Sequence, residues 1–307
     1  MTGWPAWRRR TLGALLFACA LLATGIAAAQ VVVIADPSSP SHNEAVDSLA
    51  AALAPELAIQ VLSVAEADAR ALAAARLVVT VGSAAARMSA AQPIAAPVLH
   101  VLLPRSTLDA LERQPGAPWS ALLLDQPAER QVALIRLALP RQTRVAIVTG
   151  PDTHSRAIEL GAAAAHRGLE THVAAADEIG ALYAALRAAL AQPAVLVIPP
   201  DSQLFTSQTV HQVLLTAFRL RSPVLGYSAA YVRAGAVLGL YTTPTQAGRE
   251  AASVVRRVLA GAPMPAPGPH QLFEVGINPT VARSFGVTLP DAQWLADTLQ
   301  AQERVAQ

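Results

Sequence analysis

Ten apolar runs, each long enough for one strand and most separated by helical spacing, constrain this chain more than any other feature. They are 31–36 (VVVIAD), 59–64 (IQVLSV), 77–82 (LVVTVG), 97–103 (PVLHVLL), 119–125 (WSALLLD), 144–150 (RVAIVTG), 169–175 (LETHVAA), 194–199 (AVLVIP), 223–228 (PVLGYS) and 236–242 (AVLGLYT). Runs that are apolar on both faces and alternate with helices predict parallel sheets covered on two sides, an α/β fold. The runs fall into two groups of five. The expected organisation is therefore two Rossmann-like lobes: 30–124 with about 243–275, and 125–242 with about 276–307. Open parallel sheets bind ligands outside their carboxyl ends, so two such edges facing each other would make a cleft.

Helix start signals support this division. Ser41-His-Asn-Glu44 reads as a capping box ahead of Val46, Leu49, Ala50 and Leu53, which share one face. Val210, Val213, Leu214 and Ala217 repeat that spacing after Ser207. Thr243-Pro-Thr-Gln246 opens a helix whose apolar face is Ala247, Ala251, Val254, Val255 and Val258, with Gly261 and Pro263 as the stop. The stretch 261–269 (GAPMPAPGP) reads as an exposed, semi-rigid connector.

Residues 1–29 read as a secretory signal peptide. Arg8, Arg9 and Arg10 precede the apolar run Thr11 to Ile26, and Ala27-Ala28-Ala29 forms a small-residue cleavage site. Cys19 is a poor lipoprotein site, because the apolar run continues beyond it and Phe17 is bulky. The expected location is the periplasm or an equivalent exported space. Setting the three arginines aside changes the net charge from +2 to −1, which removes the support for nucleic-acid binding. Cys19 is the one cysteine, so the exported chain has neither disulfides nor thiol chemistry. The chain contains no lysine, which excludes a P-loop lysine and a lysine Schiff base. The seven histidines show no zinc-ligand spacing, and no metal or cofactor is expected.

Polar and turn residues cluster where the strands end. Asp36 follows the first run and Ser83 the third. Thr149 to Ser155 follow the sixth, Asp201 and Ser202 the eighth, and Tyr227 and Ser228 close the ninth. A parallel sheet brings such ends to one edge, where helix N-termini favour an anionic group. Asp201 could instead meet a ligand ammonium. Taken singly, Ser, Thr or Asp after a strand is more often a helix cap than a ligand contact. Tyr227, Tyr231 and Tyr241 serve stacking on a ligand or core packing about equally well.

From about Trp119 onward the chain resembles the substrate-binding proteins of ABC-type importers, in the group that includes aromatic amino-acid binders. The stretches that carry the resemblance are QPAERQVALIRLALP (126–140), VAIVTGPDTHS (145–155), VLVIPPDSQLFTS (195–207), SPVLGYSAAYVRAGAVLGLYTTPTQAGREAASVVRRVLAGAPM (222–264) and VGINPTVARSFGVTLP (275–290). The resemblance implies a type I periplasmic-binding fold with three crossovers between lobes. By position it implies ligand contacts at Ser83, the Thr149–Ser155 loop, Asp201, Ser202, Ser228 and Tyr241. Asp36 and Tyr227 join this candidate set from the strand-end pattern. Residues 31–118 depart from the family pattern, with LLPRST after the fourth run where an Asp-Pro turn is common. The function implied is a binding protein that closes over a small polar, amino-acid-like ligand and delivers it to a membrane permease and ATPase. The alternatives are a sensory module that reports to a membrane receptor, and an exported hydrolase built on Ser228 with Glu250 and His270.

Overall fold

The computed structural model of the chain describes residues 31–112 and 116–306; the signal-peptide reading of 1–29 lies outside the described residues. Two six-stranded sheets organise it. The first contains β1 (Val31–Ala35), β2 (Ile59–Ser63), β3 (Leu77–Val81), β4 (Val98–Leu103) and β5 (Trp119–Leu123), joined by a late strand, β11 (Gly268–Pro269), in the order β11-β5-β4-β3-β1-β2. The second contains β6 (Arg144–Thr149), β7 (Glu170–Ala175), β8 (Val195–Val197), β9 (Val224–Gly226) and β10 (Leu238–Tyr241). β12 (Glu274–Ile277) completes it, in the order β12-β10-β9-β8-β6-β7.

All ten expected runs form strands. Their faces divide with a period of two, as the pleat requires. Val31, Val33 and Ala35 pack under α1 (Pro40–Leu53) and α10 (Pro244–Leu259), whereas Val32 and Ile34 face α2 (Ala69–Ala73) and α3 (Ser83–Ala90). In the second lobe, Val145 and Ile147 meet α5 (Ala128–Ala138), α6 (His154–His166) and α12 (Ala292–Ala306). Ala146 and Val148 meet α7 (Leu182–Ala189) and α8 (Val210–Arg219).

Three sequence readings are corrected. The connector 261–269 does not stay outside the sheets, because its last two residues form β11, parallel to β5. Glu274–Ile277 was not expected as a strand, and it runs antiparallel to β10 at the sheet edge. Helix α1 begins two residues earlier than the Ser41–Glu44 box: Ser39 is the cap, its Oγ accepts from the His42 N–H, and Pro40 occupies the first helical turn. Pro40 suits that turn because it lacks the N–H that would go unpaired there. The box at Thr243 and Gln246 forms as expected, with both reciprocal hydrogen bonds.

Helix α10 leaves the second sheet at Thr243 and lies on α1 of the first lobe. Gly248 permits the approach: a Cβ there would stand 2.2 Å from the Ala45 carbonyl oxygen and 2.9 Å from the Leu49 nitrogen. The chain passes between sheets three times, after β5, after β10 and between β11 and β12.

Candidate functional site

The three crossovers are tied side by side. Gln126 in the first donates from Nε2 to Thr242 Oγ1 in the second at 3.2 Å, and Thr242 Oγ1 donates to the Leu272 carbonyl in the third at 2.7 Å. Arg130 on α5 is buried beside them. It donates to Gln126 Oε1 (2.6 Å) and the His270 carbonyl (3.3 Å), forms a two-pronged pair with Glu303 (2.5 and 2.9 Å), and lies 4.1 Å from the centroid of Phe273. Glu250 accepts from the Gln271 N–H at 3.1 Å and pairs with His270 Nδ1 at 2.9 Å. Burial raises the Glu250 pKa, but hydrogen bonds from His270 and Gln271 and the histidine's charge outweigh it, leaving the group below its ordinary value. The Glu250 side chain thus turns from α10 into this network.

On the other side of the first crossover Asp125 is buried. It accepts from the Arg105 N–H at 2.7 Å and faces Arg156 Nε at 3.5 Å. Burial raises its pKa and prevails over the opposing charge of Arg156 and the Arg105 hydrogen bond. The 3₁₀ turn Pro151–Thr153 of the second lobe lies against α4 (Arg105–Asp109) of the first, so the lobes also touch away from the crossovers.

A cavity of about 480 Å³ opens between the lobes beside the second crossover. Ser41, His42, Glu44 and Leu102 line it from the first lobe; Tyr227, Ser228 and Arg233 line it from the second; Leu124 and Tyr241 to Pro244 close the crossover side. Local backbone explains several of these positions. Leu102 adopts φ 54° where the β4–β5 register shifts between Val101 and Leu103. Such a bulge re-aims a side chain that the regular pleat would place on the other face. Gly82, at φ 84°, has no Cβ because the His42 ring occupies that space, with Cε1 2.4 Å from where it would be. Burial lowers the His42 pKa, partly opposed by the charge of Asp36, and His42 Nδ1 has no partner among the described residues. Burial pushes both Tyr227 and Tyr241 upward, so both stay neutral phenols.

The structure gathers three of the nine candidate residues, Tyr227, Ser228 and Tyr241, around this cavity. Ser228 also caps α9 (Ala229–Ala234), accepting from the Tyr231 N–H at 3.4 Å. Six others lie apart from its lining. Asp36 accepts from the Ser38 N–H and hydroxyl. Ser83 Oγ meets Thr107 Oγ1 at 3.2 Å, and Thr149 is fully buried with its hydroxyl unpartnered among the described residues. Asp201 is 5 % exposed and accepts from Thr153 Oγ1 and from the N–H groups of Gln203 and Leu204. Ser155 and Ser202 are exposed. His42, Leu102, Leu124 and Arg233 line the cavity without having been singled out for it. The one available signal was Arg233 in the Val-Arg-Ala-Gly motif of α9.

The triad alternative forms only its acid–histidine pair. Ser228 Oγ is a helix cap, and His270 Nε2 is buried with no partner among the described residues, so the nucleophile-to-base bond such chemistry requires is not made. Among the described residues no group of three or more His, Cys, Asp or Glu is placed to hold a metal ion.

Two α/β lobes, three crossovers and a cavity bounded by both lobes define a type I periplasmic-binding-like fold. The chain belongs to the ABC transporter substrate binding protein family, whose model matches residues 64–298. It is thus a solute-binding protein of the ABC-transporter type, a family whose members serve a small-molecule ligand and a membrane transporter. Solved structures establish the same fold. A domain from Streptococcus pneumoniae in complex with L-Trp is 18% identical over 87% of this chain and 98% of that one, with TM-score 0.63. A conserved domain protein from Vibrio cholerae is 21% identical over 88% and 98%, with TM-score 0.62. The ligand-free, open substrate-binding protein with adhesive properties from Clostridium difficile is 13% identical over 86% and 96%, with TM-score 0.65. No curated protein matches the chain. Among the described residues no helix is long and apolar enough to cross a membrane.

Proposed function

We propose that this protein, exported to the periplasm, closes its lobes over a small polar solute of amino-acid size and presents the closed form to a permease and ATPase. The first lobe is the chain up to the first crossover together with the segment between the second and third crossovers. The second lobe is the remainder. The observation that carries this reading is the cavity with walls from both lobes, beside hydrogen-bonded crossovers that act as a hinge. A solute touching Leu102 and His42 on one side and Tyr227 and Ser228 on the other favours closure, because only the closed arrangement makes both sets of contacts. Tyr227, Ser228 and Tyr241 are the members of the candidate set assigned to ligand contact.

The test is a thermal-shift screen of amino acids, organic acids, sugars and nucleosides on ligand-stripped protein. A ligand at a hundred times its Kd stabilises the fold by about 2.7 kcal/mol, which is readily seen. A hit should weaken on Tyr241→Ala and Ser228→Ala. A broad library giving no shift would overturn the reading.

A further inference from the structure

Four carboxylates stand on the cleft side of the lobes, and each is already engaged by the chain itself. Asp36 is held by Ser38 and Asp201 by Thr153 and two backbone N–H groups. Asp125 is held by the Arg105 N–H and Arg156. Glu44, exposed at the cavity rim, accepts from Thr245 Oγ1 at 2.6 Å. The basic groups divide differently. Arg105 lies 4.0 Å from Asp109, and Arg156 is shared among Asp125, Glu159 and the Gln126 carbonyl. Arg233, exposed like Glu44 at the cavity rim, forms no hydrogen bond or ion pair among the described residues. The cavity therefore offers an uncommitted cation at its rim, and the one acid of its lining, Glu44, is already hydrogen-bonded. Its remaining walls are largely apolar or aromatic: Leu102, turned in by the left-handed bulge, with Leu124, Tyr227 and Tyr241.

We propose, resting on the reading that this cleft holds a small solute, that the solute is a carboxylate with an apolar or aromatic tail and no required ammonium group. Arg233 holds the carboxylate, and Leu102 and the tyrosines cover the tail. An α-ammonium entering the same space would lose water without gaining a free carboxylate partner, and an unmatched buried charge is strongly disfavoured. Arg233 suits the task because its planar fork pairs with both carboxylate oxygens at once.

The experiment compares matched pairs differing only in the ammonium: 3-phenylpropionate with phenylalanine, indole-3-propionate with tryptophan, and 4-methylpentanoate with leucine. Calorimetric titration on ligand-stripped protein is expected to show at least one des-amino acid binding about tenfold or more tighter than its partner, a difference set by the unpaired ammonium. Arg233→Gln should weaken that carboxylate about tenfold or more through loss of a charge-assisted pair. Its melting temperature should stay unchanged, since Arg233 has no hydrogen bond or ion pair to lose among the described residues. Equal or tighter binding of the amino acids overturns the inference and leaves the solute-binding reading standing. So does full affinity in Arg233→Gln. Silence from all six probes also overturns it, and the solute-binding reading is then decided by the broader screen above.

Discussion

Replacing Arg130 with methionine tests whether the polar hub beside the crossovers holds the fold together. Methionine matches much of the side-chain volume but removes the guanidinium. The lost contacts are both bonds to Glu303, the bond to Gln126 Oε1, the longer one to the His270 carbonyl and the stacking on Phe273. Removing one member of a buried ion pair costs about 3–5 kcal/mol, chiefly because the other is stranded. Here Glu303 keeps 33% side-chain exposure and can rehydrate, so the lower end, about 3 kcal/mol, is the figure to expect. At about 2–4 °C per kcal/mol for a protein of this size, the melting temperature falls by roughly 6–12 °C. Scanning calorimetry on ligand-free protein measures it. Arg130→Lys, which keeps the charge but not the fork, should fall between wild type and Arg130→Met. If Arg130→Met melts within about 2 °C of wild type, the hub is not a structural element and the reasoning fails.

Further outcomes follow from other contacts. Gly248→Ala should destabilise by about 1–3 kcal/mol although alanine is the better helix former, because its Cβ meets helix backbone at 2.2 Å; a raised melting temperature would contradict the packing. Glu250 has a lowered folded pKa, so its contribution is present above its unfolded value near 4.5 and fades as pH drops below it. Glu250→Gln should therefore flatten the acid limb of stability measured by urea titration, and an unchanged limb would refute this. Asp201→Ala should cost about 1–3 kcal/mol by leaving the buried Leu204 N–H unmatched and removing the bond from Thr153 Oγ1, while Asp201→Asn costs less. Ligand affinity of the folded Asp201→Ala protein should stay near wild type, and a large loss would return Asp201 to the site.

Much of the fold was legible because burial on two faces writes itself into local composition. Val31–Ala35 and Leu77–Val81 are fully buried runs that only a doubly covered strand explains. The cap at Thr243 was equally legible, since a capping box needs only residues three apart. The short edge strands were not. Gly268–Pro269 has no strand composition, and it pairs with β5 because the second crossover and α10 return the chain to the first sheet.

The site divides along the same line. Tyr227 and Ser228 could be picked from strand ends and Tyr241 from the family resemblance, and the sequence by itself determined that strand ends would meet helix starts in two lobes. Tertiary structure alone decided which of those polar groups remain available. Asp201 and Asp36 close onto their own neighbours, whereas Arg233 and His42 Nδ1 have no hydrogen-bond partner among the described residues. The reason is physical: strand and helix follow from short-range periodicity, but whether a carboxylate is free depends on donors brought to it across the fold. Thr153 and Asp201, 48 residues apart in sequence, meet only once β6 and β8 lie side by side.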